Sequence, residues 1–89
     1  MPSINKYRKK PIVIEAVRWD GEDDDGFFEM LTNWGCRFDV LRNVRAILVQ
    51  GLEGDMRCDF GSVIIKGTVG EFYTSKNLIF EATYDKVKD

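Results

Sequence analysis

Gly61-Ser-Val-Ile-Ile-Lys-Gly67-Thr-Val-Gly70-Glu-Phe-Tyr-Thr74 is the stretch whose reading decides the fold. Gly61-Ser62 turns the chain into the β-branched run Val63-Ile-Ile-Lys66, and Gly67-Thr-Val-Gly70 turns it again into Glu71-Phe-Tyr-Thr74. Two short β-rich runs separated by a glycine-bounded turn predict adjacent antiparallel strands. Alternation along the second strand points Phe72 into the core and sets Glu71 and Tyr73 on the opposite face, where Glu71 pairs across the hairpin with Lys66.

Upstream, Ala46 to Gln50 is a short apolar run, and Met56, Cys58 and Phe60 alternate with Arg57 and Asp59. The Gly51-Leu-Glu-Gly-Asp55 stretch between them reads as a hairpin loop. Phe38 and Val40 alternate around Asp39 as a further short strand. The segment from Ile12 to Trp19 is apolar on both alternating faces, which predicts a central strand, with Pro11 at its beginning because proline lacks a ladder donor. Phe27, Met30, Leu31 and Trp34 fall at i, i+3, i+4 and i+7, one face of a helix from about Asp24 to Trp34. Aspartates suit its N-terminus, and Gly35 is placed to end it in a left-handed turn. A short helix from about Asn77 to Asp85 closes the chain, with Asn77 as its cap and Phe80 and Tyr84 on one face. The expected class is α+β: an antiparallel or mixed sheet of five or six short strands, one packed helix and a short C-terminal helix. The 89 residues form one expected domain, with residues 1–10 as a basic N-terminal arm.

Composition narrows the function. The 44 % hydrophobic and 31 % charged content belongs to a globular protein. No apolar run approaches the roughly 18 residues of a membrane span, and Ile12 to Val17 is too short for a signal-peptide core. A cytoplasmic location is therefore expected. Net charge is −2, but Lys6, Arg8, Lys9 and Lys10 stand together without an acid, and Asp20, Glu22, Asp23, Asp24 and Asp25 stand together without a base. Solvated segments are the plain reading of both runs. An anion site at the arm is the sharper one. The arm is too short and the balance too acidic for a duplex-DNA binder.

The chain has no histidine, which removes the commonest general base and the usual partner of a serine or cysteine nucleophile. Cys36 and Cys58 cannot complete a zinc ligand set without histidine, so no metal is expected, and both are read as reduced core thiols in preference to a disulfide. A calcium loop fails: with Gly26 sixth, the first ligand is Gly21 and the twelfth Thr32. Glu15, in an apolar strand, needs a partner such as Lys66 or Arg18, or stays protonated as a general acid with no second catalytic group in view. Tyr7, Trp19 and Tyr73 offer stacking surfaces, and Arg8, Lys9 and Lys66 offer phosphate contacts, the combination that nucleobase and phosphate recognition requires. Whether they converge is a matter of tertiary structure.

Arg8-Lys-Lys-Pro11, Glu15-Ala16, Trp19, Gly61, Ile65-Lys-Gly67, Gly70-Glu71, Tyr73, Phe80 and Thr83-Tyr84 together resemble a family of small proteins encoded by tailed phages and prophages. Its motif runs P-G-D-Y-G, an apolar stretch, K-G, then G-E-x-Y. Phe60, Ser62 and Val63 depart from that motif, and Thr74-Ser-Lys-Asn77 replaces a turn containing proline and cysteine. The resemblance implies a phage or prophage origin and an approximate fold; a non-enzymatic role without cofactor in the host cytoplasm is expected from the lack of catalytic groups and of any membrane or signal segment. In size and lack of catalytic groups the chain also looks similar to oligomeric sponges that sequester cyclic nucleotide signals of bacterial immunity. The expected function is a homo-oligomeric anti-defence sponge for a cyclic dinucleotide. The alternative is a module that engages a host or virion protein through an exposed sheet edge.

Overall fold

The computed structural model describes residues 4–6 and 13–84. The chain is α+β, with antiparallel strands, one longer helix and one short C-terminal helix, as its periodicities imply. In chain order the elements are β1 (Glu15–Arg18), α1 (Asp24–Asn33), β2 (Phe38–Val40), β3 (Ala46–Gly51), β4 (Gly54–Asp59), β5 (Val63–Lys66), β6 (Phe72–Ser75) and α2 (Asn77–Thr83). Among the described residues six strands divide between two antiparallel three-stranded sheets, ordered β1-β5-β6 and β2-β3-β4. Among the described residues no helix is long and apolar enough to cross a membrane.

The central strand of the first sheet is β5, whose Val63, Ile64 and Ile65 are all buried. The expectation of a central strand over 12–19 is corrected here. Residue 12 lies outside the described residues, Val13 and Ile14 are not in a strand, and β1 is an edge strand with Glu15, Ala16 and Arg18 exposed. Apolar alternation measures fitness for a pleated surface and does not count a strand's neighbours.

Helix α1 behaves as its pattern implies. The Asp23 side chain accepts from the Gly26 N–H at 2.9 Å as N-cap, and two aspartates in the first turn face the positive end of the dipole. Beyond the helix, Gly35 has φ of +92°, and the Cys36 N–H returns to the Leu31 carbonyl at 2.9 Å, closing the C-terminus in a left-handed turn. Leu31 is fully buried, a burial that contributes about 1.5–3 kcal/mol.

The core gathers Trp19, Leu31, Cys36, Ile47, Val49, Cys58 and Ile64, with Val17, Phe27, Phe28, Trp34, Phe38 and Phe72 packed around it. It therefore joins both sheets to α1. The sheets also meet where β6 packs against β3 and β4, and Thr74 Oγ1 donates to the Arg57 carbonyl at 3.3 Å. Both cysteines are free and buried. Burial raises the pKa of each thiol, that of Cys58 to about 11. In α2 the expected cap is also corrected: Lys76 is the N-cap and makes no side-chain bond, while Asn77 is the first helical residue.

Candidate functional site

Of the six residues predicted to bind a ligand, the three that the structure describes, Trp19, Lys66 and Tyr73, do not converge. Tyr7, Arg8 and Lys9 lie outside the described residues. Trp19 is only 1 % exposed. Its ring stacks on Phe27 at 5.6 Å with planes 7° apart and takes Phe28 and Phe60 edge-on. Continuing the alternation of β1 past Val17 turns Trp19 inward, so it is a core residue and not a stacking platform.

Lys66 and Tyr73 project from opposite faces of the first sheet. The register places Lys66 opposite Phe72 and Ile65 opposite Tyr73, and neighbouring residues in a strand alternate. On the α1 side, Lys66 Nζ donates to the Trp34 carbonyl at 3.3 Å and stands 5.6 Å from the Phe72 ring centroid. It neutralises the negative end of α1, a structural use of its charge. On the other side, Tyr73 is hydrogen-bonded to Tyr84, and desolvation first, then that bond, pushes its pKa to about 12. Arg18 on this side holds Glu81 of α2 at 2.8 Å.

The glycine-bounded turn also turns out to be structural. Phe72, not Glu71, pairs with Lys66, so the predicted Glu71–Lys66 cross-strand pair is corrected. The Glu71 carboxylate instead accepts from the Val69 N–H at 3.1 Å. It lies where a side chain on Gly67 would stand, and Gly70 takes φ of +86°. Gly61, with φ of +95°, brings its N–H to the Trp19 carbonyl at 2.6 Å. Gly61, Gly67, Gly70 and Glu71 therefore shape turns, and Lys66 closes α1.

Sequence reasoning overlooked Arg45. Its Nε and Nη2 hold both oxygens of Asp24 at 3.0 and 2.6 Å, and Nη2 also reaches the Gly21 carbonyl at 2.8 Å. Trp19 Nε1 donates to the same carboxylate at 3.0 Å, while the guanidinium lies 3.6 Å from the Phe60 ring centroid. The bonds from Arg45, then that from Trp19, hold the Asp24 carboxyl below its ordinary value of 3.8. Part of the acidic run is thus a clamp between α1 and the loop that leads into β3, not a solvated loop. Asp24 and Arg45 are 21 residues apart, and no local pattern signals such a pair.

What remains open is the outer edge of β1. A shallow groove of about 430 Å³ lies between that strand and the last turns of α1, lined by Glu15, Ala16, Val17, Met30, Asn33 and Trp34. Glu15 is exposed, and its carboxylate accepts a long 3.5 Å bond from Trp34 Nε1, so neither Lys66 nor Arg18 is its partner. The Trp19 N–H donates to the Ser62 carbonyl at 3.0 Å. By antiparallel alternation Val17 and Glu15 also face β5, and Ala16 and Arg18 turn their main-chain groups outward. Among the described residues no strand pairs with this edge. The arrangement sets hydrogen-bond donors and acceptors along a strand beside an apolar floor, the features that strand addition uses. No protein-family model, no curated protein and no solved structure matches the chain.

Proposed function

We propose that this chain is a non-enzymatic binding protein, of the phage accessory kind its motifs resemble, acting in the host cytoplasm. Its mode of binding is addition of an extended partner segment to the edge of β1. The observation that carries this reading is the open β1 edge beside the groove lined by Met30, Asn33 and Trp34. Strand addition draws affinity from main-chain bonds and specificity from side chains seated alternately in the groove. A chain without histidine suits binding without turnover. Self-association belongs to the same reading, supported by the strongly exposed Leu52, Val69 and Leu78.

The cyclic-dinucleotide sponge is the competing proposal. It loses Trp19 to the core, and Lys66 and Tyr73 stand on opposite faces, which leaves Tyr7, Arg8 and Lys9 to form the site.

Selection of extended peptides from a random library, followed by amide hydrogen exchange, tests the leading reading. Selected peptides should protect the Ala16 and Arg18 amides. They should also lose binding to Ala16→Pro, which removes an outward donor and leaves the β1–β5 ladder intact. Peptides that protect other surfaces and bind Ala16→Pro unchanged would defeat it. Retention of a 3′,3′-linked cyclic dinucleotide, released intact on heating, would favour the sponge.

A further inference from the structure

We infer that the segment received at the β1 edge is β1 of a second copy of this chain, paired antiparallel about a two-fold axis at Val17. This rests on the strand-addition reading and names the occupant. The ladder to β5 runs unbroken from Glu15 to Arg18, with neither proline nor bulge to spoil the free edge. Ala16 and Arg18 turn their main-chain groups outward, and Val17 lies midway between them. Turning the strand about Val17 therefore sets Ala16 opposite Arg18 of the second copy, and Arg18 opposite Ala16 of the second copy. Both pairs are of the kind that exchanges two main-chain bonds, so the outward groups of one edge satisfy the same groups on the other. Such an edge is self-complementary, as a two-fold interface requires.

Charge selects this register. Arg18 opposite Arg18 would set like charges face to face. The Val17 register offsets them, and each Arg18 is already bonded to Glu81 of its own chain at 2.8 Å. The two Glu15 carboxylates fall at opposite ends of the paired strands. The side chains agree with the main chain. By alternation Val17 projects on the α1 face, where it lines the groove with Met30 and Trp34. The two-fold sets it against Val17 of the second copy, a β-branched pair at the close, non-hydrogen-bonded spacing. The two apolar floors then meet beneath a pair of α1 helices, and two three-stranded sheets become one. On the opposite face, Glu81 of α2 is held by Arg18 of β1, so that side of α2 looks toward the edge. Leu78, one turn before Glu81 on the same side, is 81 % exposed, and a sheet continued past β1 runs beneath it.

The test uses the full chain, with sedimentation over a concentration series and amide exchange at Ala16 and Arg18. The expected result is a dimer in which both amides are protected, the protection fading as dilution yields monomer. Ala16→Pro removes an outward donor from each copy and should weaken dimerisation by at least about tenfold, with circular dichroism unchanged. Val17→Cys reads the register directly. Directly opposed residues at that spacing stand about 4.5 Å apart between Cα atoms, within disulfide reach, so oxidation by diamide should link two copies. Glu15→Cys, at the end of the pair, should not link, and the native Cys36 and Cys58 are buried. Should Ala16→Pro fail to fold, the two cysteine variants still decide. A monomer at every concentration, with both amides exchanging freely, overturns the second copy and leaves the edge to another extended segment, so strand addition stands. A dimer that leaves both amides unprotected and survives Ala16→Pro associates elsewhere and overturns the inference too. Protected amides in a monomer mean that the edge is covered from within the chain, and both readings fall. Linkage through Glu15→Cys and not through Val17→Cys overturns the axis at Val17.

Discussion

Replacing Trp19 distinguishes a core residue from a ligand-stacking surface, because the two roles predict opposite patterns of loss. The indole is 1 % exposed and packed on Phe27, Phe28 and Phe60, and its Nε1 donates to Asp24 at 3.0 Å. Trp19→Phe removes two buried carbons, at about 0.8 kcal/mol each. It also removes one hydrogen bond worth about 1 kcal/mol, for a total loss of about 2–3 kcal/mol. Trp19→Ala opens a larger cavity and should cost about 3–5 kcal/mol. An 89-residue domain has a total stability of about 4–13 kcal/mol, so the alanine variant approaches the limit of folding and the phenylalanine variant is the better probe. Urea unfolding followed by far-ultraviolet circular dichroism reads the loss as a lower midpoint at unchanged slope. On heating, the same loss lowers Tm by about 4–8 °C per kcal/mol. A Trp19→Phe loss below about 0.5 kcal/mol, with nucleotide binding abolished, would refute the placement of this ring and restore it as a stacking surface.

Further outcomes follow from the turns, the clamp and the thiols. Lys66→Met keeps the aliphatic stem but removes the charge from the end of α1, and should cost about 1 kcal/mol in urea unfolding. Gly67→Ala should displace the Glu71 carboxylate from the Val69 N–H. Its cost should therefore shrink in a Glu71→Ala background, and strict additivity in the double-mutant cycle would contradict the contact. Asp24 has a depressed pKa in the folded state, so its stabilisation is present above the ordinary value of 3.8 and is lost as pH falls through the lower folded value. Acid titration of Asp24→Asn should show a shallower decline below about pH 4 than the parent chain. Cys36 and Cys58 are buried with raised thiol pKa values, so a thiol reagent at pH 8 should label them only as fast as the chain unfolds. Prompt labelling of either would contradict its place in the core.

Local periodicity carried most of the secondary structure. The spacing of Phe27, Leu31 and Trp34 set α1 and its buried face, and Asp23 and Gly35 marked its ends. Alternation and glycine placement located the strands from β2 to β6. These signals are legible because capping, turn conformation and amphipathic spacing act between residues a few positions apart. Neighbours in space are another matter. Nothing in the run from Ile12 to Trp19 says that β1 has one paired edge, and nothing in the acidic run says that Asp24 meets Arg45. The candidate binding residues show the same division. Their types suit stacking and phosphate contact, yet one side of a strand or the other decides whether they meet. That parity, fixed by the register of Lys66 with Phe72 and Ile65 with Tyr73, separates Lys66 from Tyr73, while packing around Leu31 and Ile64 buries Trp19. Short-range chemistry in the sequence determined the elements. The tertiary structure alone decided which edge stayed open and which charges were neutralised, because both depend on contacts between residues far apart in the chain.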